Sequence, residues 1–280
     1  QALRFGPPLQ LDSAIPSPLA LSVTRCYKIS CYRIDASIQI GTGCSSAWLE
    51  HCVRDAGVAG SNPVTPINSS FYRCGEQTLA LALLTVLSYL FGAIPVGVLV
   101  GRAWGFDPRV VGSGNIGATN VARAGGKIPA AITFIADVLK GFIPVELTRF
   151  LLGSAPAALA TVGFATFAGS IASVFLKFRG GRGVAASLGV WLALAPKPIG
   201  VVAGVFGIVL ALTRIVSLAS LIGALALPPT VAAFDCPAPY LLVAIIITAL
   251  VLLRHSENIA RLTRGEEPSI GRATTDRAGQ

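Results

Sequence analysis

The chain has 280 residues, of which 53% are hydrophobic and only 12% are charged, and its mean hydropathy is +0.71. Soluble domains carry about 25% charged residues, so this composition excludes a disordered or nucleic-acid-binding chain and disfavours an ordinary soluble enzyme. The net charge is +9, but most Lys and Arg residues lie in short clusters between long apolar runs. That distribution is typical of a membrane protein.

Residues 1–78 differ from the rest of the chain in composition. They are polar, contain five of the six cysteines and show neither helical nor alternating apolar periodicity. Residues 45–51 and 60–63 back-translate to codons that resemble the D-arm and the T-arm of a transfer-RNA gene. We therefore expect residues 1–78 to be a spurious extension read through such a gene. The alternative is a genuine N-terminal domain that is disordered or held by disulfides.

Long uncharged runs after residue 78 predict membrane-spanning helices, because about 20 apolar residues cross the hydrocarbon core. Glu76 and Arg102 enclose the first run. The second run, 128–149, is interrupted by Asp137 and Lys140, and the further runs are 150–176, 183–213, 215–234 and 236–253. The run 183–213 is ambiguous, because Pro196, Lys197 and Pro198 interrupt it and it can form one long helix or two short ones.

The distribution of basic residues favours two short helices in this run. Basic residues cluster at 102–127, at 177–182, at Arg214 and from Arg254 onward, and the positive-inside rule places all four clusters in the cytoplasm. Only the split returns the C-terminal cluster to the cytoplasm. We therefore predict an all-α polytopic membrane protein with seven transmembrane helices in residues 79–272, its N-terminus outside and its C-terminus cytoplasmic. Residues 273–280 are expected to form a disordered tail.

The first basic cluster contains a glycine-rich stretch that suits an anion. In residues 111–123, three glycines allow close approach of the backbone, Ser113, Thr119 and Asn120 supply neutral donors, and Arg123 supplies a permanent charge. The alternative is a flexible turn at the membrane interface. The stretch is not a Walker loop, because no Gly-Lys-Ser/Thr follows at the required spacing.

Two further basic clusters have the same character. Residues 177–183 place three cations among three glycines, although a simple basic anchor is the alternative interpretation. His255 and Asn258 follow the last span and are spaced to share one helical face, with Glu257 off that face. Together the clusters predict one cytoplasm-facing site that binds a phosphorylated substrate and a second, lipid-like substrate.

Asp137 and Lys140 lie one turn apart inside a predicted span. Ionisable groups at this depth are costly and rare. The pair is therefore either a structural clasp or part of the polar site.

These stretches resemble the three motifs of bacterial acyl-phosphate:glycerol-3-phosphate acyltransferase, the PlsY family. The matching stretches are 112–120 with Arg123, 175–185 and 254–259, supported by 89–97, 137–141 and 214–220. The resemblance covers roughly residues 79–272. It implies a cell inner-membrane enzyme that makes lysophosphatidic acid for phospholipid synthesis, with acyl phosphate as the donor rather than acyl-CoA or acyl carrier protein. It implies no cofactor and no metal, and as partners it implies membrane lipid and the acyltransferase that produces acyl phosphate.

The resemblance also implies roles for individual residues. Its catalytic residues are Ser113, Arg123, His255 and Asn258. Its substrate-binding residues are Gly114, Asn115, Gly117, Thr119, Asn120, Lys177, Arg179, Gly180, Gly181, Arg182, Ser217 and Ser220. Asp137, Lys140 and Glu257 are assigned to structure. Either His255 or the phosphate of the substrate accepts the proton of the attacking hydroxyl.

The chain departs from the family pattern in the second motif. A Gly-His pair and an aromatic-Pro pair of the family are replaced here by Gly169-Ser170 and Ala172-Ser173, and two lysines by Arg179 and Arg182. Arginine keeps the charge but differs from lysine in hydrogen-bond geometry.

Two other classes of protein are compatible with parts of the pattern. A transporter or channel for a small organic phosphate would share the cationic site, but we find no internal repeat of the kind that such folds show. A CDP-alcohol phosphotransferase would need an Asp-rich metal motif, which the sequence lacks.

Overall fold

The computed structural model describes residues 67–270, and it describes side chains from Glu76 onward. In this part the chain forms ten α-helices and one 3₁₀ turn, with no β-strand. The helices are α1 (Ile67–Ala93), α2 (Val96–Ala103), α3 (Ala118–Gly125), α4 (Lys127–Leu152), α5 (Pro156–Ile171), α6 (Val184–Leu194), α7 (Pro196–Thr213), α8 (Val216–Ala233), α9 (Ala238–Arg254) and α10 (Ser256–Thr263). The 3₁₀ turn is Val174–Leu176. The predictions for residues 1–66 and for the C-terminal tail lie outside the described residues, so the division at residue 78 stays a prediction.

The structure is that of an all-helical membrane protein, but fewer helices reach full span length than the sequence predicted. Within residues 67–270, five stretches are long and apolar enough to cross a membrane. They are Glu76–Ala103, Lys127–Leu152, Pro156–Leu176, Pro196–Thr213 and Val216–Ala233. The pair α9 and α10, which is bent by 60°, adds a sixth candidate. Seven crossings therefore stay a prediction.

Proline and glycine set most of the helix boundaries. The break before Pro196 lies where the sequence predicted one, and Pro156 and Pro196 begin α5 and α7 at the position where a missing N–H costs nothing. Gly153 ends α4 with a φ of 83°, a positive value that glycine adopts without strain. The predicted third span, 150–176, is therefore wrong at its start, because α4 continues to Leu152.

Helix α6 is the exception among the predicted spans. It has 11 residues, which at 1.5 Å per residue cover about 16 Å, roughly half the hydrocarbon thickness. It is nevertheless well buried, and Val190 and Trp191 are fully enclosed in the core together with Phe167 and Leu159 of α5. The short helix is thus part of the interior of the bundle.

Two pairs of glycines bring helices into backbone contact. A Cβ on Gly92 of α1 would collide with the carbonyl of Thr166 on α5, and one on Gly169 of α5 would collide with the carbonyl of Tyr89 on α1. Residues without side chains allow helices to approach closely in membranes, where packing replaces the hydrophobic driving force.

The second pair joins α4 to α6 in the same reciprocal way. A Cβ on Gly141 would meet the carbonyl of Ala186, and one on Gly189 would meet Val138 O and Phe142 N. The first crossing places the end of α5 beside the end of α1. The second places the beginning of α6 beside the middle of α4.

The first span breaks at Ile94 and Pro95, between α1 and α2. Proline removes a donor and clashes with the preceding turn, so carbonyls near the break lose their helical partners. The hydroxyl of Ser173 donates to Ala93 O, and Lys140 Nζ donates to Ile94 O over 3.1 Å. The break is therefore stabilised by α4 and by the loop after α5.

The crossing of α4 and α6 can be tested with a matched pair of glycine variants. Gly189→Ala forces a Cβ into the backbone of α4, and we expect it to destabilise the protein by about 1–3 kcal/mol. Gly204→Ala on α7 is the control, because a Cβ there meets no atom within 4 Å and alanine favours a helix by up to about 1 kcal/mol. Thermal unfolding in detergent should give a lower Tm for Gly189→Ala only; equal Tm values would contradict the close crossing.

Candidate active site

A polar cavity of about 150 Å³ lies where the three sequence motifs meet. From the first motif it is lined by Ser113, Asn115, Gly117, Thr119, Asn120 and Arg123; from the second by Gly181 and Arg182; and from the third by His255. Asp137, Lys140, Ser217 and Ser220 complete the predicted residues that line it. The fold therefore brings three stretches that are far apart in sequence to one end of the bundle.

The side chain of Asn120 holds the loop of the first motif together through hydrogen bonds. Its side chain is 1% exposed. Its amide nitrogen donates to Pro108 O and Val111 O over 2.7 and 2.9 Å, and its oxygen accepts the N–H of Ser113 over 2.9 Å. Both amide protons are used inside the loop, so Asn120 has no donor left for a ligand. Its contacts hold Ser113 at the wall of the cavity.

The second motif ends at the N-terminus of α6, which opens onto the cavity. The first intrahelical bond is donated by Ser187 to Gly183. The N–H groups of Val184, Ala185 and Ala186 consequently have no acceptor in the described part of the chain, and all three residues line the cavity. Unpaired N–H groups and the positive end of the helix dipole are suited to an anion.

Arg182 and Arg123 add positive charge to the same cavity. Burial lowers the pKa of Arg182, the nearby Glu267 carboxylate opposes that shift, and the cations Arg261 and Arg123 reinforce it. A guanidinium stays protonated despite such a shift. The cavity therefore holds two fixed cations beside a helix N-terminus, an arrangement that suits one or two phosphate groups.

His255 lies in the bend between α9 and α10, with 2% of its surface exposed. Its Nδ1 is 2.8 Å from Val251 O. Since a carbonyl only accepts, Nδ1 carries the proton and Nε2 of the neutral ring is a free acceptor. Burial lowers the pKa of His255, and the charges of Arg182 and Arg254 lower it further against the opposing effect of the Val251 hydrogen bond. The imidazole is therefore neutral near pH 7.

Asn258 lies behind the cavity rather than on its wall. It is 1% exposed, and its amide nitrogen donates to Glu267 Oε1 over 2.5 Å. His255 precedes α10, whereas Asn258 lies within it. The two residues that the sequence placed on one helical face therefore have different positions: His255 reaches the cavity and Asn258 supports it.

Glu267 is a cavity residue that the sequence analysis did not identify. Its carboxylate accepts from Ser217 Oγ over 2.7 Å and from Asn258, and it forms an ion pair with Arg261 at 2.7 Å. Burial raises the pKa of Glu267, but these donors outweigh burial and the net pKa is lowered. The sequence offers no comparable signal, because Glu267 reaches the cavity only where the chain turns back at Gly265, whose φ is 70°.

Asp137 and Lys140 form both a clasp and a part of the cavity wall. Lys140 Nζ is 2.7 Å from Asp137 Oδ1 and also bonds Ile94 O. The pair therefore fixes the break between α1 and α2 while it contributes polar surface to the cavity.

Several predicted site residues lie outside the cavity wall. Lys177 and Arg179 are exposed, and so is Glu257. Those not on the wall are Gly114, Lys177, Arg179, Gly180, Glu257 and Asn258. Conversely, Ser170, Phe134 and Phe206 line the cavity although the sequence analysis assigned them no role. In the described part, no group of three or more His, Cys, Asp and Glu side chains is arranged to hold a metal ion.

A second cavity, of about 200 Å³, adjoins the first and is almost wholly apolar. The two cavities share Phe134, Val184, Ala185, Phe206 and Ser220. Its other walls come from α6, α7, α8 and α9, and include Leu188, Ile199, Val202, Leu227 and Ile247. A ligand with a charged head and a long apolar tail fits this junction.

Comparison with known proteins gives a consistent result. The sequence model of the family described as glycerol-3-phosphate acyltransferase matches residues 82–265. The chain is 46% identical over 196 residues to the glycerol-3-phosphate acyltransferase of Caulobacter vibrioides, covering 69% of this chain and 89% of that one. It is 47% identical over 192 residues to the enzyme of the same name from Rubrobacter xylanophilus, covering 68% and 94%.

Solved structures give the same match. The crystal structure of PlsY, an integral membrane glycerol 3-phosphate acyltransferase, in its glycerol 3-phosphate form has a TM-score of 0.66 and 38% identity. It covers 69% of this chain and 96% of its own. The lysophosphatidic acid form of PlsY has a TM-score of 0.65 with 37% identity and the same coverage.

The Asp137–Lys140 pair predicts a non-additive pattern of stability. Lys140→Met leaves a buried carboxylate without its partner, so we expect a loss of about 3–5 kcal/mol. Asp137→Asn combined with Lys140→Met removes both charges and should recover most of that loss. Glu146→Gln is the matched control, because its ion pair with Arg149 has the same spacing on α4 but is half-exposed and should contribute under about 1 kcal/mol. Unfolding in detergent measures all three variants; a double variant that is no more stable than Lys140→Met would contradict the clasp.

Proposed function

The chain belongs to the glycerol-3-phosphate acyltransferase family, and we propose that the donor of its acyl group is an acyl phosphate. It is an enzyme of phospholipid synthesis, as its relatives are. The observation that carries the donor proposal is the junction of a cationic cavity with an apolar one. An acyl phosphate has a phosphate head and a long hydrocarbon tail, and so matches both. The transporter that the sequence left open has no support among these relatives.

The phosphates are held by the second motif and by Arg123. The N-terminus of α6 offers three N–H groups, and Arg182 and Arg123 offer guanidinium groups that can bind phosphate through two hydrogen bonds. Ser113 and Thr119 on the wall are neutral donors. Asn120 acts indirectly, because its hydrogen bond fixes the position of Ser113. Glycerol 3-phosphate and the head of the donor thus occupy one cationic site.

The reaction requires little beyond positioning, because an acyl phosphate is already activated. A hydroxyl oxygen of glycerol 3-phosphate attacks the acyl carbonyl carbon. The new ester bond forms as the bond from that carbon to the phosphate oxygen breaks, and inorganic phosphate leaves. The hydroxyl proton goes to Nε2 of His255 or to the phosphate of the substrate. The fixed cations stabilise the charge that develops, and alignment of the two substrates supplies much of the remaining acceleration.

Asn258 and Glu267 act behind the reacting groups. Glu267 ties Ser217 on α8 to Asn258 and Arg261 on α10, so it fixes the short helix that follows His255. Asn258 is therefore a positioning residue rather than a group that touches substrate. The 1-acylglycerol 3-phosphate product has a phosphate that fits the cationic cavity and an acyl chain that fits the apolar one.

Arg182 provides the sharpest test of this assignment. Arg182→Ala removes a charge-assisted contact worth about 1.5–3 kcal/mol, so the KM for glycerol 3-phosphate should rise roughly ten- to a hundred-fold. Arg182→Lys keeps the charge and should retain far more activity. The measurement is transfer from synthetic acyl phosphate to labelled glycerol 3-phosphate in membranes, normalised to inserted protein. Acyl-CoA serves as the alternative donor.

The control for Arg182 is Lys127→Ala, a basic residue that is exposed at the start of α4 and lies off the cavity. It should leave the KM unchanged. A normal KM in Arg182→Ala would reduce the second motif to a basic anchor. Transfer from acyl-CoA but not from acyl phosphate would overturn the proposed donor.

The same proposal extends to orientation. The basic clusters at 102–127, at 177–182, at Arg214 and after α9 favour seven crossings, an external N-terminus and a site that faces the cytoplasm at the inner membrane. Helix α6 would then cross only a thinned part of the bilayer. The acyltransferase that supplies acyl phosphate would meet the protein on that cytoplasmic side.

Reporter fusions test this orientation. A reporter that works only in the cytoplasm should be active after Gly271 and silent when inserted at Asp235, in the turn between α8 and α9. The reverse pattern would refute the seven-span arrangement, and so would activity at both sites, because Asp235 would then lie in the cytoplasm.

A further inference from the structure

Arg254 joins the third motif to the second through hydrogen bonds that the proposed mechanism does not use. It is the last residue of α9. Its Nη2 donates to Gly180 O over 2.6 Å and its Nε donates to Gly181 O over 3.2 Å. The guanidinium thus binds two successive carbonyls of a loop that lies more than 70 residues earlier in the chain. Arg254 does not line the polar cavity, so it is not placed to touch a substrate.

These bonds determine where the loop directs its donors. In a trans peptide the N–H points away from the carbonyl of the same unit. Because the Gly181 carbonyl faces Arg254, the N–H of Arg182 faces the opposite way, and it has no acceptor in the described part of the chain. The N–H of Gly181 donates to Ser170 O over 3.0 Å. The glycine pair is therefore held from two sides, by Ser170 at the end of α5 and by Arg254 at the end of α9.

We propose that Arg254 is a positioning residue for the substrate phosphate. It fixes the Gly180–Gly181 backbone so that Arg182 and the beginning of α6 face the cavity, and it ties this phosphate loop to the residue next to His255. This inference rests on the proposed function. It adds a residue that aligns the phosphate of glycerol 3-phosphate with His255, which faces the attacking hydroxyl in the proposed reaction. Arginine suits the role because its planar fork can bind two acceptors at once, whereas lysine offers a single point charge.

A binding measurement without any acyl donor separates this inference from the proposed reaction. The probe is labelled glycerol 3-phosphate, bound at equilibrium to the full chain in detergent, with inorganic phosphate as competitor. Arg254→Met should weaken the binding of both ligands by the same factor, about three- to ten-fold, since it removes two hydrogen bonds that a partly solvated charged group donates to the loop. In the transfer assay the KM for glycerol 3-phosphate should rise by a similar factor, and so should the KM for the donor, because its phosphate binds the same loop, while the kcat changes little.

Arg254→Lys is the decisive second variant, because it keeps the basic charge at the membrane edge and removes the fork. We expect it to bind glycerol 3-phosphate more weakly than the wild type, although less so than Arg254→Met. Arg102→Met is the matched control, since Arg102 is also a basic residue in the last turn of a helix but lies off the cavity. It should bind normally.

Wild-type affinity in Arg254→Lys would overturn the inference, because a simple anchor requires only the charge. Equal weakening in Arg102→Met, or a fall in kcat without a change in either phosphate affinity, would also overturn it. If the wild type binds glycerol 3-phosphate but transfers nothing from acyl phosphate, the proposed donor fails while the role of Arg254 is still decided by the binding data.

Discussion

The close crossing of α4 and α6 is the contact on which the site depends. Helix α6 is too short to be positioned by the membrane, so its depth is set by packing, and Gly141 and Gly189 allow its backbone to lie against that of α4. This contact places the free N–H groups at the start of α6 beside Asp137 and Lys140. A larger residue at either glycine would push the helix outward and displace the anion site from the other two motifs.

The cost of burying polar groups explains much of the remaining arrangement. A break in the first span exposes the carbonyls of Ala93 and Ile94, and the protein satisfies them with Ser173 and with Lys140. Lys140 in turn requires Asp137. Each buried polar group therefore bonds to another, and the last pair in this series, Asp137 and Lys140, lines the cavity. The apolar cavity adjoins it on the other side, so the site lies at the border between a polar network and a lipid-like interior.

Much of the helical pattern could be predicted because unpaired charges and prolines are so costly within a membrane. The predicted ends of α8 and α9 agree with the structure within about two residues, and the break before Pro196 was expected. The split at Pro196 also predicted a short helix at the start of 183–213, and α6 (Val184–Leu194) agrees with it. Its close packing against α4 could not be predicted, since it depends on how Gly141 and Gly189 meet in the fold. Glu267 was missed for a similar reason: its role arises only because the chain turns back at Gly265 toward Ser217. The donors of Asn120 were recognised as suited to an anion, but only the fold shows that they are used within the loop.

The cations of the site also affect the protonation of His255. A buried imidazole next to Arg182 and Arg254 is kept neutral by burial first and by these charges second. Neutrality leaves Nε2 free to accept a hydrogen bond from an alcohol, while Val251 fixes the other nitrogen as a donor. In the reaction that we propose, the negative charge of the bound phosphate offsets the cations and favours protonation of the ring. The imidazole is then a better proton acceptor, which suits the role proposed for it beside the attacking hydroxyl.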